Sequence, residues 1–266
     1  MLKRIAALLM ALLLALPCWA AAEDEEEDLT IEEYVILGDD GEEYPDEPPA
    51  RVLTPRDDFI NRIIDLGHTL YVKANGKAQK AASSSDIYVC KNFTTYLFRK
   101  NRDDFRMAAY PNVTLKIPDN LPAKQCKPYY YGLLWKDVPA SEGNPFYIAA
   151  EFRYDSSLSA AENLALAEDF MREVKRGDFF QMSADYQYGI GAHSAIMIED
   201  YDPATDTVTW MDSNMRGKKV NGVRYGIVQY AEVKDVTWWA SAFCKKKRGA
   251  TIYRLRDDIV YAADAQ

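Results

Sequence analysis

The chain has 266 residues, with 32 Lys+Arg against 41 Asp+Glu, two His and four Cys. That length supplies one or two domains with a sizeable core. Two histidines exclude a zinc site built from several imidazoles, and a net charge of −9 argues against a general nucleic-acid binder.

Residues 1–22 read as a secretory signal peptide. Lys3 and Arg4 form a positive start, Ile5 to Leu16 an apolar run, and Ala20-Ala21-Ala22 a small-residue cleavage region. The run is short for a membrane span. The mature protein is therefore expected to be secreted, extracellular or cell-wall associated, with no membrane contact after signal removal, and Cys18 is expected to leave with the signal. Export places the remaining thiols where disulfides survive.

Residues 23–53 read as an acidic disordered linker. Its first part, to Ala50, carries 14 acidic residues and no basic one. It is either a solvating spacer or an inhibitory arm over a basic cleft, anchored by Tyr34-Val35-Ile36-Leu37. The charge is split, because residues 51–266 hold 30 basic and 27 acidic residues. The acidity belongs to the tail, and the folded part, expected over 54–258, is mildly basic.

Thr54 and Pro55 signal a helix start, and Phe59, Ile60, Ile63, Ile64, Leu66 and Leu70 follow at helical spacing. Asn75-Gly76 ends that segment. Asp86 is expected to cap a second helix from Ile87 to about Lys100, with Phe93, Tyr96 and Leu97 buried. Residues 101–158, rich in Tyr and Pro, read as an irregular insertion. Ser159-Ala160-Ala161-Glu162 is a capping box opening a helix to Arg176, with Gly177 as its stop. Strands are expected at Phe179–Ser183, Ala192–Tyr201, Val208–Asp212, Tyr225–Tyr230 and Thr251–Leu255, with a turn at Pro203–Asp206. Residues 259–266 read as a tail. Helices first and a mostly antiparallel sheet after them make the fold class α+β.

Three cysteines survive signal removal, Cys90, Cys126 and Cys244, so at least one stays unpaired within the chain. Cys90 lies in the first turns of a predicted helix, where the dipole and free N–H groups favour a thiolate. A nucleophilic thiolate needs a base, and only His68 and His193 are available. His68 falls within the first helix. His193 follows the flexible Gly189-Ile190-Gly191-Ala192 and opens a strand. The next strand ends in Trp210-Met211-Asp212-Ser213-Asn214, so Asp212 or Asn214 is positioned to orient the imidazole. By alternation Asp212 shares a face with Trp210 and Val208. Arg176-Gly177-Asp178 matches an integrin-binding triplet but reads more simply as a helix stop before a strand.

The order Cys, His, acid, with Cys on a helix and His on the following sheet, resembles papain-like cysteine hydrolases. The local text is similar to the CHAP and NlpC-type cell-wall amidases and peptidases. The similarity is carried by Ile63-Ile64-Asp65-Leu66-Gly67, Tyr71, Cys90-Lys91-Asn92-Phe93, Gly177-Asp178-Phe179-Phe180, Ala192-His193-Ser194-Ala195-Ile196 and Asp212-Ser213-Asn214. The resemblance implies Cys90 as nucleophile, His193 as base and Asp212 as its orienter. It further implies Asn214 as a residue shaping the site and Tyr71 as a donor to the oxyanion region. It implies a papain-like fold and hydrolysis of amide bonds in peptidoglycan or a peptide, with no cofactor and no metal. The chain departs from the NlpC pattern in having Val89 before Cys90 and Lys91-Asn92 after it.

Two alternatives stand beside this reading. One is a permuted arrangement with Cys244 as nucleophile, its pKa lowered by Lys245, Lys246, Lys247 and Arg248. The other is a non-catalytic surface or binding protein that keeps the fold. Cys126 and Cys244 are also a possible disulfide, whose long loop would stabilise by up to about 5 kcal/mol.

Overall fold

Thr54 starts the first helix as the sequence predicts. In the computed structural model its hydroxyl accepts from the Asp57 N–H at 3.1 Å, and the Asp57 carboxylate accepts from the Thr54 N–H. Helix α1 spans Pro55–Ala74, and Asn75 ends it in the left-handed region at φ 48°. The structure describes residues 53–80, 87–119, 135, 138–182, 192–221, 223–245 and 247–265. The signal-peptide reading of residues 1–22, nearly all of the acidic segment, Asp86 and Cys126 lie outside them.

Helix α2 spans Cys90–Asn101 and begins three residues later than expected. Val89 is extended at its N-cap and offers no side-chain acceptor. Phe93, Leu97 and Phe98 form its buried stripe, whereas Tyr96 is only half-buried. The capping box of the next helix is present, with Ser159 and Glu162 bonded reciprocally. That helix, α3, spans Ala160–Arg172 and stops one turn earlier than expected. Gly177 follows at φ 87°, where an added Cβ would strike the Ile60 side chain.

One seven-stranded sheet organises these helices. Its strands are β1 (Gln79–Lys80), β3 (Phe146–Arg153), β4 (Phe179–Met182), β5 (His193–Met197), β6 (Thr207–Val220), β7 (Val223–Asp235) and β8 (Gly249–Leu255). The spatial order is β1-β7-β6-β5-β4-β8-β3, and every neighbouring pair is antiparallel. A separate two-stranded sheet joins β2 (Phe105–Met107) to β9 (Ile259–Tyr261). The fold is α+β, with helices packed on an antiparallel sheet.

Four expectations change. The 101–158 region is not wholly an insertion, because it supplies β2 and the edge strand β3. Residues 259–266 are not wholly a tail, because Ile259 is buried in the β2–β9 pair. Strands β6 and β7 run far beyond the expected segments as one long hairpin. An unexpected helix, α4, spans Val236–Lys245, and the Asp235 carboxylate accepts from the Trp238 N–H at its start.

Alternation along the strands sorts two apolar layers. On one face Phe179, Ile196, Met211 and Tyr253 pack with α1 and α2 around Phe59, Phe93 and Leu97. On the other face Phe180, Met182, Ala195, Met197 and Trp210 pack with α3 and α4 around Phe170, Trp239 and Phe243. Each fully buried Phe or Met contributes roughly 1.5–3 kcal/mol against an exposed side chain. Between the layers, Asp178 is fully buried and paired with Arg254 at 2.8 Å through both carboxylate oxygens. The Arg-Gly-Asp triplet therefore does not present its Asp to solvent.

Candidate active site

The carbonyl of Tyr88 fixes where α2 begins. It accepts from Ser213 Oγ at 2.9 Å and lies against Gly226 of β7, where an added Cβ would stand 2.1 Å from it. The close approach of that loop to the sheet is what glycine permits at this position. Two residues on, Cys90 is the first residue of α2, and the first helical bond runs from the Phe93 N–H to the Val89 carbonyl. The Cys90 N–H accordingly has no intrahelical acceptor.

Strands β5 and β6 pair only through Ile196–Met211 and Met197–Trp210. Closer to the start of β5, its backbone turns to the thiol instead. Cys90 Sγ lies 3.9 Å from the Ala192 carbonyl oxygen and receives the Ser194 N–H. The Lys91 N–H also donates to the sulfur.

Cys90 hydrogen-bonds with the His193 ring. His193 Nε2 sits 2.8 Å from Asp212 Oδ2, which leaves Nδ1 as the ring nitrogen for the thiol. Facing a carboxylate oxygen, Nε2 carries the proton. Trp210 Nε1 donates to the same Oδ2 at 3.1 Å. Trp210 belongs to the α3–α4 face, as expected for a residue two before Asp212. Register shifts between Trp210 and Asp212, where Ala231 on β7 adopts φ 57°, so a bulge lies beside the point where Asp212 must be aimed.

The electrostatics of the pair run in opposite directions. Burial disfavours both charged forms. For His193 the Asp212 and Cys90 hydrogen bonds outweigh burial and push the imidazole up to about 10. For Cys90 the His193 bond and charge, with the Lys91 and Ser194 N–H groups, outweigh burial and hold the thiol below its usual range. The two shifts together favour a thiolate–imidazolium pair over the neutral thiol and imidazole. An arrangement of this kind can attack an electrophilic carbon and return a proton to a leaving group.

Three residues expected at the site hold other positions. Asn214 is half-buried on β6 opposite Ile227 and makes no hydrogen bond to His193. Tyr71 is 39% exposed, and its ring neighbours are His68 and Tyr230 rather than Cys90. Cys244 is a free thiol, and its possible partner Cys126 lies outside the described residues. Cys244 lies at the C-terminal end of α4, and burial and Glu168 push its thiol up. This is the reverse of what the permuted reading requires of a nucleophile. Lys245 and Lys247 are exposed, where their fields are screened, and the Lys247 ammonium lies over the Tyr154 ring.

Trp210, Ser213 and Gly226 complete the site without having been singled out for it. Alternation with Asp212 was the one signal available, and it applied to Trp210. No family model matches the chain, and no curated protein or solved structure matches it.

Proposed function

We propose that the protein is a papain-like cysteine hydrolase that cleaves amide bonds by acyl transfer, acting outside the cytoplasm on peptidoglycan or a peptide. The observation that carries the proposal is the Cys90–His193–Asp212 series, with a depressed thiol and a raised imidazole joined by hydrogen bonds. The residue resemblance to CHAP and NlpC-type enzymes supports the substrate class, and the signal-like residues 1–22 support the location.

In the proposed reaction the Cys90 thiolate adds to the amide carbonyl carbon. The Cys90 N–H at the start of α2 donates to the developing oxyanion. Collapse breaks the C–N bond as His193 Nδ1–H protonates the departing amine, leaving a thioester and a neutral ring. The ring then takes a proton from water as hydroxide adds to the thioester. Collapse releases the carboxylic acid and restores the ion pair. Asp212 holds the ring in the tautomer that presents Nδ1 to sulfur throughout.

The test is digestion of purified peptidoglycan by the mature protein, with new amine and carboxyl ends read by mass spectrometry. Cys90→Ala is expected to abolish release of both, and Cys244→Ala to leave it intact. Full activity in Cys90→Ala would refute the proposal. A wild-type Cys90 that alkylates no faster than a free model thiol would instead favour a binding protein that keeps the fold.

A further inference from the structure

Asp212 Oδ2 takes two donors of different kinds. His193 Nε2 stands 2.8 Å from it and Trp210 Nε1 3.1 Å from it. The ring of His193 changes its charge during the proposed reaction, because it gives up a proton and regains one. The indole N–H is neutral and a donor only, so its bond to Asp212 keeps the same sense at every stage. Asp212 is buried, and a carboxylate oxygen away from water bonds strongly to each donor aimed at it.

The indole that supplies this bond is itself held in place. Trp210 is buried in the α3–α4 layer. Trp239 meets its ring edge-on, with centroids 4.9 Å apart and planes at 71°. Trp238 stacks on it at 5.9 Å and 21°. A ring clamped by two others has little freedom left to lose when its N–H bonds. The backbone by itself does not aim Asp212, because the β6–β7 ladder slips between Trp210 and Asp212. The carboxylate can still turn about its side-chain torsions. Two donors converging on the lone pairs of one oxygen fix both its position and its plane.

We propose that Trp210 is a positioning residue for the thiol chemistry: its indole N–H pins Asp212 Oδ2 on His193 Nε2, and so keeps the ring presenting Nδ1 to sulfur. The proposal deepens the amide-hydrolase reading and rests on it for the reaction that is served. Its weight falls on the stage in which the ring is neutral. An imidazolium is drawn to Asp212 by charge, whereas the neutral ring is held there by a hydrogen bond alone. A carboxylate that swung away at that stage would let the proton settle on Nδ1, and the ring could then take none from water. Trp210 holds the oxygen in place until the ion pair is restored. The groups that raise His193 are Asp212 from β6 and Cys90 from α2, so loosening Asp212 leaves Cys90 alone of the two.

The test reads the ion pair without requiring hydrolysis. Iodoacetamide alkylation of Cys90 in the mature protein is followed by peptide mass from the acid limb to the alkaline plateau. The proteins compared are the wild type, Trp210→Phe, Asp212→Asn and the double variant. Trp210→Phe keeps an aromatic ring in the layer and removes the N–H. It is expected to label about tenfold more slowly than the wild type on the acid limb, through loss of one charge-assisted hydrogen bond, and at the wild-type rate on the plateau. Asp212→Asn is expected to move the limb to higher pH by more, and adding Trp210→Phe to move it no further. An unmoved limb in Trp210→Phe, a limb displaced to lower pH, or a further move in the double variant would overturn the proposal. Slowing by the same factor at every pH would overturn it too, by showing a merely structural role. Should Trp210→Phe not fold, nuclear magnetic resonance of the indole N–H groups decides, with the other indoles assigned through Trp135→Phe, Trp238→Phe and Trp239→Phe. The Trp210 N–H is expected downfield of a free indole and to move upfield in Asp212→Asn; a resonance unmoved by Asp212→Asn would overturn the proposal. A shifted limb in a protein that leaves peptidoglycan and peptides uncut would retain the role of Trp210 and remove the hydrolase reading alone.

Discussion

Gly226→Ala should disable the thiol by displacing the loop that leads into α2. The added Cβ would stand 2.1 Å from the Tyr88 carbonyl oxygen, where ordinary contact begins at 3.4 Å. The two must part by more than an ångström. Both are backbone-fixed, the glycine within the β6–β7–β1 ladder and the carbonyl by Ser213 Oγ. Relief therefore comes by lifting the loop before α2. Overpacking of this kind costs about 1–3 kcal/mol, and loss of the Ser213 hydrogen bond adds about 0.5–1.5 kcal/mol. The functional effect should exceed the stability effect. A shift of this size at the start of α2 carries Cys90 away from His193 and the Ser194 N–H, and misplacement by about 1 Å can cost about 10²-fold in rate. Iodoacetamide labelling of Cys90 at pH 7 reads the thiolate, and urea unfolding reads the stability. The expected variant is folded, moderately destabilised and at least tenfold slower to label. Ser213→Ala should show a smaller effect in the same direction. Wild-type labelling in a destabilised Gly226→Ala would refute the idea that the Tyr88 carbonyl seats the nucleophile.

Other outcomes follow from the ion pair and the buried salt bridge. Cys90 is held below the usual thiol range, so the acid limb of its alkylation profile should lie at lower pH than that of a free model thiol. Hydrolysis should also fall as pH rises through about 10, where His193 loses the proton needed by the leaving amine, while alkylation persists there. Asp212→Asn removes the charge that raises the imidazole, so the acid limb of alkylation should move to higher pH; an unmoved limb would remove Asp212 from the series. Arg254→Met leaves Asp178 buried and uncompensated, and should cost about 3–5 kcal/mol in urea unfolding. A loss under 1 kcal/mol would show that Asp178 is stabilised by its Lys175 N–H bond alone.

The features legible in the sequence were those that a single side chain enforces. Thr54 and Ser159 mark helix starts because their hydroxyls close capping boxes, and the structure contains both. Cys90, His193 and Asp212 stood out because thiols and imidazoles are scarce, and the structure brings these three together. The missed elements share a different cause. Strand β3 is an edge strand with a register shift between Ile148 and Ala150, so its apolar residues do not alternate. Helix α4 begins Val236-Thr237-Trp238-Trp239, residues of modest helix propensity, and forms because Trp239, Ala240 and Phe243 find a core to fill. Gly226 was invisible for a third reason. Its importance lies in what approaches it in space, and a glycine in a strand does not announce its neighbour.

The nucleophile and its base belong to different layers of the molecule. Cys90 begins a helix packed on the Phe59 and Phe93 side of the sheet, whereas His193 shares a face with the Ala195 and Trp210 side. They meet only where β5 and β6 stop pairing and strand backbone is free to bond to sulfur. Thiol chemistry is thereby tied to the docking of the two halves. When the helical layer lifts away, even transiently, the thiolate loses the imidazolium and the N–H donors that favour it and reverts to an ordinary protonated thiol. Reactivity at Cys90 is thus a property of the assembled fold, and its rate is a direct gauge of how much of the population has the helices seated on the sheet.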